Sequence, residues 1–478
     1  MPRTEIRKFQ RAAEEVAASL KPKLDGKTSV KIISHADADG MAAAAILAKC
    51  LYSYNVPFVV RFAPPVGPEE IAELAKEDYD MFVFLDQGSG QMEAIHKFIL
   101  AKHTDVLLID HHPSSFLEHP NLVYLNPHTC GLNGGRDVSA SGAVYSVVEQ
   151  IDLRFRSLAG LAVAGAIGDR QEFPSGFIGV NETLAKRAVD LGLIYQSEGL
   201  KLIWRTLNPV VECLRSSSRP YIIGLSGNLG ACRSLVDTLG ISHSSLLCDL
   251  GSEVERRLAD AIFARVGPLA TNEEFYRTLW GALYTAKIND LVGPRDLREY
   301  AAMLDACGSL RKPETGFAVA VGDKTAQADA LAVLSSYQEQ MLKVMGWLVK
   351  NITSFKLAPT FRHIYCGDAA APRMMGEALS LGIESGLIPT DRPVLSMVEE
   401  SGSLVKVSAR STLGLAMQGV NVGRALAKAA AKVGGSGSGH DVAAAARIPR
   451  ERADEFIEEL AHAFLSADSN PGTAEESS

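Results

Sequence analysis

Four short segments in the first 170 residues each put Asp or His directly after an apolar run, and together they restrict what this chain can become. They are Ser34-His35-Ala36-Asp37-Ala38-Asp39-Gly40, Leu85-Asp86-Gln87-Gly88, Ile109-Asp110-His111-His112-Pro113 and Gly165-Ala166-Ile167-Gly168-Asp169. The first three follow the runs Val30–Ile33, Met81–Leu85 and Val106–Ile109, which read as parallel strands carrying carboxylates and imidazoles to one sheet edge. That edge is where open α/β sheets bind their ligands. The fourth closes the apolar run Leu161–Ile167, where an unpaired Asp169 carboxylate would be costly and a metal is the expected partner. Carboxylate oxygens mixed with imidazole, without thiolate, suit Mn²⁺ or Mg²⁺ better than a structural zinc. So many acids at one edge repel unless cations lie between them. Two cations sharing a carboxylate, for which Asp86 is the candidate, supply phosphoryl-transfer chemistry.

Each segment alone has a plainer reading. Asp37 and Asp39 could belong to a turn capping a helix over 41–51, and Asp86 could cap a helix before Gly88-Ser89-Gly90. A His-His pair after a strand is commonly a surface feature. The coincidence of all four is what favours a metal centre.

Composition narrows the class. A chain of 478 residues, 47% of them hydrophobic, can bury two or three cores. A net charge of −8 speaks against a surface coated in basic residues for duplex binding, while leaving room for a local positive groove. Seven cysteines, at 50, 130, 213, 232, 248, 307 and 366, form no Cys-x-x-Cys pair and fit reduced thiols. The charged start, with no apolar segment, predicts no signal peptide, and no run is long enough to span a bilayer. The expectation is a soluble cytoplasmic protein.

Helical spacing over Glu5–Leu20 predicts a leading helix, followed by strands at Val30–Ser34, Phe58–Phe62, Met81–Asp86, Val106–Asp110 and Val123–Leu125. Helical segments such as Met41–Leu51 and Pro68–Lys76 alternate with them, and Ser139–Gln150 and Leu158–Gly168 follow. From Leu191 to Asn351 helices dominate, including Ala326–Lys350. Strands return at Arg362–Cys366, Val394–Glu399 and Leu404–Ser408, with a helix through Gly423–Lys432. Ser466–Ser478 reads as a disordered tail.

Asp-His-His after a buried strand, preceded by His-x-Asp-x-Asp-Gly and followed by a helical Gly-x-x-x-Asp, resembles the DHH phosphoesterase superfamily. Gly434-Gly435-Ser436-Gly437-Ser438-Gly439-His440 resembles the Gly-Gly-Gly-His motif of its associated domain, although Ser438 interrupts the glycines and Ala445 stands where a glycine is usual. By composition alone that segment is a flexible linker. The combination is similar to the RecJ-like branch, and the stretch from Arg295-Asp296-Leu297-Arg298-Glu299-Tyr300 to Ala306-Cys307-Gly308 resembles its archaeal members, the GINS-associated nucleases. The resemblance implies an α/β fold: a doubly wound parallel-sheet DHH lobe at 1–190, a mostly helical insertion at 191–351, a smaller α/β DHH-associated lobe at 352–465, then the tail.

It further implies a metal set of His35, Asp37, Asp39, Asp86, His111 and Asp169, with Asp110 bracing the site and His112 facing the scissile phosphate. Two divalent cations, Mn²⁺ ahead of Mg²⁺, would sit there. Arg410-Ser411, Gly437, Gly439 and His440 would grip substrate phosphates. The implied activity is exonucleolytic hydrolysis of single-stranded DNA or RNA, linked to replication or repair, with a GINS subunit as partner. Two other classes stay open: a small-substrate phosphodiesterase acting on nanoRNA, phosphoadenosine phosphate or cyclic dinucleotides, and a non-catalytic replisome factor.

Overall fold

The apolar runs form strands where their burial requires it. In the computed structural model Val30–His35, Phe58–Ala63, Met81–Leu85, Asp105–Ile109 and Leu122–Leu125 are strands β1 to β5. They make an all-parallel sheet in the order β2-β1-β3-β4-β5. The structure describes residues 2–113, 117–172, 176–266, 273–287, 291–367, 372–400 and 402–468. Helices α1 (Pro2–Leu20), α2 (Ala38–Ser53), α3 (Pro68–Leu74), α4 (Met92–Phe98), α5 (Ala140–Ile151), α6 (Ala159–Gly168) and α7 (Gly179–Asp190) surround the sheet. Ile71, Leu74, Met92 and Ile95 of α3 and α4 bury against Ile33, Phe84 and Leu108. Helices α2 and α5 pack on β1, β3 and β4. The sheet is thus doubly wound, and chain order reverses between β1 and β3, the switch point at which such sheets open toward ligands.

Internal contacts divide the chain into two units. One comprises Met1–Val210, Ser244–Arg256 and Arg277–Tyr337; the other comprises Val211–His243, Arg257–Tyr276 and Gln338–Ser478. The span 191–351 is shared between them. It holds α8 (Val210–Ser216), α9 (Leu229–Thr238), α10 (Ser252–Val266), α11 (Glu273–Leu279), α12 (Leu297–Ser309), α13 (Pro313–Val321) and α14 (Gln327–Lys350). It also holds an antiparallel pair the sequence did not announce, β6 (Ile194–Leu200) with β7 (Trp280–Ala286). Tyr195 through Glu198 are all exposed and burial falls only at the ends of β6, so no period-2 alternation marks it.

Within the first unit, Glu299 of α12 is fully buried beside Asp296, accepting from the Thr206 amide and hydroxyl at 3.3 and 3.1 Å. Burial, and then the Asp296 charge, push its carboxyl up to about 8. The folded protein therefore keeps a proton that the unfolded chain loses near 4.5. The stability this contributes is complete below about 4.5 and is lost as pH rises through about 8. Burial pushes Asp296 in the same direction. Melting temperature is expected to fall between pH 5 and 9, and Glu299→Gln to flatten that slope; an unchanged slope in the variant would refute this assignment.

The second unit is built on a six-stranded sheet in the order β12-β13-β11-β10-β9-β8. Its strands are β8 (Lys356–Leu357), β9 (Arg362–Gly367), β10 (Val394–Glu399), β11 (Leu404–Arg410), β12 (Ser436–Gly439) and β13 (Ala443–Pro449). Helices α15 (Pro372–Glu384), α16 (Leu413–Met417), α17 (Val422–Lys432) and α18 (Ala453–Asp468) complete it. Val405, Val407 and Ala409 bury against Val422, Leu426 and Ala430 of α17 and Phe456 and Leu460 of α18. Helix α18 runs through Ser466 to Asp468, where the tail was expected to begin; residues 469–478 of that tail lie outside the described residues. No described helix is long and apolar enough to cross a membrane.

Candidate metal centre

The C-terminal ends of β1, β3 and β4 bring the first three segments together, and the end of α6 brings the fourth. His35 is the last residue of β1; its Nδ1 lies 2.5 Å from Asp37 Oδ2 and 3.6 Å from Asp86 Oδ2. Asp37 is the N-cap of α2, accepting from the Gly40 amide at 2.9 Å. Asp39, on the first turn of α2, is buried. Its Oδ2 accepts from the Ala140 amide at 2.6 Å and its Oδ1 from the Ser141 amide at 3.0 Å. These are the first amides of α5, so the positive end of that helix faces the carboxylate. The capping reading of Asp37 and a site reading are therefore compatible, since capping uses only one of its oxygens.

Asp86 follows β3 in a left-handed backbone conformation, φ 57°, and is 2% exposed. Neither of its side-chain oxygens has a hydrogen-bond partner. His111 explains how this can persist. Its Nδ1 lies 2.7 Å from the Gly134 carbonyl, which only accepts, so Nδ1 carries the proton. Nε2 then faces Asp86 Oδ1 at 3.1 Å and Asp169 Oδ2 at 3.3 Å. A ring lone pair directed at two carboxylates is repulsive unless a proton or a metal cation lies among them. This fits the cation reading on the structure's own geometry. A Cβ at Gly134 would come within 1.8 Å of the His111 carbonyl oxygen, so only glycine allows the approach that orients the ring.

Asp110 differs from Asp86 in having its oxygens occupied. Oδ2 accepts from the Ser89 amide at 3.0 Å; Oδ1 accepts from the His111 and His112 amides at 2.8 and 3.2 Å and faces His112 Nδ1 at 2.8 Å. His112 is thereby fixed with its Nε2 directed away from Asp110.

Three buried amides were not read from the sequence. Gln171 donates to the Gly134 carbonyl at 2.9 Å and to Asp169 Oδ2 at 3.3 Å, and Asn181 donates to Gln171 Oε1 at 2.6 Å. Asn126, directly after β5, donates to the His112 carbonyl at 2.9 Å. A signal for Asn126 was present, because it ends its strand at the same sheet edge as Asp86. Such supporting partners fix ligand orientation in metal sites.

The charge balance agrees with a cation site. Burial, and then Asp86, raise the Asp39 carboxyl to about 6; burial, and then Asp39, raise Asp169 well above the carboxylate range. Burial opposes charge on Asp86 as well, but His111 and His35 outweigh it and hold that group well below the range. Three groups of possible ligand atoms, each within 4.8 Å of one another, are Asp86 with Asp110, His111 and His112; His35 with Asp37 and Asp86; and Asp39 with His111 and Asp169. Asp86 belongs to two of them, as a shared carboxylate would.

The remaining candidates lie in the second unit. Arg410 ends β11, with Nε donating to Ser380 Oγ at 2.9 Å. Ser411 Oγ is buried without a hydrogen bond. Its amide donates to the Val442 carbonyl at 2.8 Å, and Arg410 pairs with Ala443, which places both beside exposed His440 at the turn between β12 and β13. The glycine run does not form the loop or linker considered from composition. From Ser436 it is edge strand β12, with Gly437 paired to Ala446 and Gly439 to Ala444. Helix α17 crosses it so closely that a Cβ at Gly437 would meet the Leu426 carbonyl at 3.2 Å.

Comparison with known proteins accords with this architecture. Residues 29–166 match the DHH family, N-terminal domain, and residues 386–466 match the DHHA1 domain. An uncharacterized protein of Methanocaldococcus jannaschii is 28% identical over 456 residues, covering 94% of this chain and 96% of its own length. The crystal structure of exonuclease RecJ bound to manganese superposes with a TM-score of 0.59 at 16% identity, covering 96% of this chain and 95% of that one. CDC45 from Entamoeba histolytica superposes with a TM-score of 0.65 at 13% identity, covering 95% and 99%. The chain thus carries a match to the DHH family N-terminal domain followed by a match to the DHHA1 domain, on a fold similar to that of RecJ.

Proposed function

We propose that this protein is a metal-dependent exonuclease that hydrolyses phosphodiester bonds of single-stranded DNA or RNA in replication or repair. The DHH domain and the acid–imidazole cluster support a metal-dependent phosphoesterase, and the observation that carries the reading is Asp86, a buried carboxylate with no hydrogen-bond donor. His35, Asp37, Asp39, Asp86, His111 and Asp169 are the residues that would hold two divalent cations, Mn²⁺ ahead of Mg²⁺. Bound there, such cations acidify a water and neutralise charge developing on a phosphoryl group.

The chain's own groups do the rest. Gly134 holds the proton on His111 Nδ1 and keeps Nε2 toward the acids. Asp110 orients His112 and, against burial, favours its protonated ring, whose Nε2–H then donates to a phosphate oxygen. Arg410, Ser411 and His440 bind strand phosphates, and Gly437 and Gly439 let strand β12 pack closely enough on α17 and β13 to present its backbone beside them. Recognition through phosphates implies little sequence preference. A subunit of a GINS complex is the proposed partner, on the resemblance to the archaeal nucleases.

The test is digestion of end-labelled single-stranded DNA and RNA, with and without Mn²⁺, beside dinucleotide and cyclic dinucleotide substrates. Stepwise shortening of strands only with metal is the expected result. Hydrolysis confined to dinucleotides would establish the small-substrate alternative, and none at all in Mn²⁺ the non-catalytic one. His440→Ala is expected to weaken strand binding by about tenfold, the scale of one charge-assisted hydrogen bond, with bound metal unchanged. Loss of metal in that variant would overturn its role.

A further inference from the structure

Helix α12 lies between the two spans that match known domains, which end at 166 and resume at 386. It nevertheless packs on α2 and α6, the helices that carry Asp39 and lead to Asp169. Two contacts reach the turn between β1 and α2. Asp305 Oδ1 accepts the backbone N–H of Ala38 at 2.8 Å, across 267 residues of sequence. Three residues along α12, a Cβ at Gly308 would fall 1.6 Å from the Ala36 carbonyl oxygen, so glycine is required for the helix backbone to approach the turn this closely.

The position of these contacts gives them meaning. Ala38 stands between Asp37 and Asp39, and its amide is one of the first-turn N–H groups of α2 that no carbonyl within the helix can satisfy. Asp37 satisfies the Gly40 amide with its own side chain. Asp305 satisfies Ala38 from outside, and its negative charge is favoured at the positive end of α2. The far side of the same turn is closed by Gly168, where a Cβ would meet the Ala38 Cβ at 2.5 Å. With β1 behind it, Gly168 beside it and α12 across it, the turn has one backbone path, and that path sets the separation of the Asp37 and Asp39 carboxylates.

We propose that Asp305 is a positioning residue of the metal centre, holding the Ala36–Ala38 backbone so that Asp37 and Asp39 meet cations at a fixed spacing. This rests on the cation reading of the cluster. Asp305 touches a main-chain amide rather than a ligand atom, so the acceptor matters and the charge is secondary. Asparagine can present the same oxygen; alanine cannot.

The experiment is calorimetric titration of the full-length protein with Mn²⁺, with thermal melting of each variant. Asp305→Ala is expected to weaken Mn²⁺ binding by about 10- to 100-fold, the range for outer partners of metal ligands. Asp305→Asn should stay within about threefold of wild type, because a retained acceptor retains the bond. Met303→Ala, a fully buried position of the same helix, controls for loosening α12: it should lower the melting temperature and leave Mn²⁺ affinity intact. Tight binding by Asp305→Ala would overturn the proposal. So would a tenfold loss in Asp305→Asn, a result still available if the alanine variant does not fold, or an equal loss in Met303→Ala. Wild-type protein that binds Mn²⁺ but cleaves no nucleic acid would refute the exonuclease function while leaving the role of Asp305 decided by these titrations. Wild-type protein that binds none would overturn both.

Discussion

Asp86→Asn is expected to reduce metal-dependent cleavage by roughly 10³-fold or more while the protein, in chelator, still folds and loses far less stability than Asp110→Ala. The two halves have one cause. Asp86 is buried with neither oxygen hydrogen-bonded to an amide or hydroxyl of the fold, so replacing it strands no buried donor. Asparagine removes the charge at nearly constant volume. It also tolerates the left-handed backbone at this position, which alanine accepts poorly. The same change removes a ligand from two of the three candidate groups. Losing about 4 kcal/mol of charge stabilisation at a reacting phosphoryl group corresponds to three powers of ten in rate. Added Mn²⁺ should raise the melting temperature of the wild type by mass action and that of the variant much less. Cleavage of labelled single strands, metal content and melting with and without Mn²⁺ are the measurements. Activity within tenfold of wild type would remove Asp86 from the metal centre.

Much of this site could be read before the fold was known, for a physical reason. Parallel strands buried on both faces are continuous apolar runs, so Met81–Leu85 and Val106–Ile109 stand out, and the acids placed directly after them stand out by contrast. The doubly wound sheet and its reactive edge follow from that contrast. What stayed hidden depends on contacts distant in sequence. Gln171 looks like any polar residue after a helix until its amide is seen between Gly134 and Asp169. Strand β13 is rich in alanine, which has little strand preference; Ala444 and Ala446 are selected by the room beneath α17. The glycines of β12 suggested a loop for the same reason, since their role is close approach to a helix. Asp305 carries no local signal at all.

The sharpest contrast with Asp86 is a carboxylate that is equally buried yet fully partnered. Asp110→Ala is expected to destabilise the protein by about 3–5 kcal/mol, the scale for removing one member of a buried charged hydrogen-bond network. The reason lies in what is left behind. The Ser89 and His111 amides lose their acceptor inside the protein, each at about 1–3 kcal/mol, and His112 loses the partner of both its amide and its Nδ1. Mn²⁺ affinity should also fall by about 10- to 100-fold, because the backbone that aims His111 is no longer held. Asp110→Asn keeps one accepting oxygen and should fall between wild type and alanine on both scales. Two neighbouring acids of one cluster thus separate by the size of their effect on stability: replacing Asp86 strands no amide, whereas removing the carboxylate of Asp110 strands three. Denaturant unfolding in chelator reads this difference without any assay of activity. An Asp110→Ala protein as stable as wild type, or an Asp86→Asn protein destabilised as strongly as Asp110→Ala, would show that ligand and brace have been assigned the wrong way round.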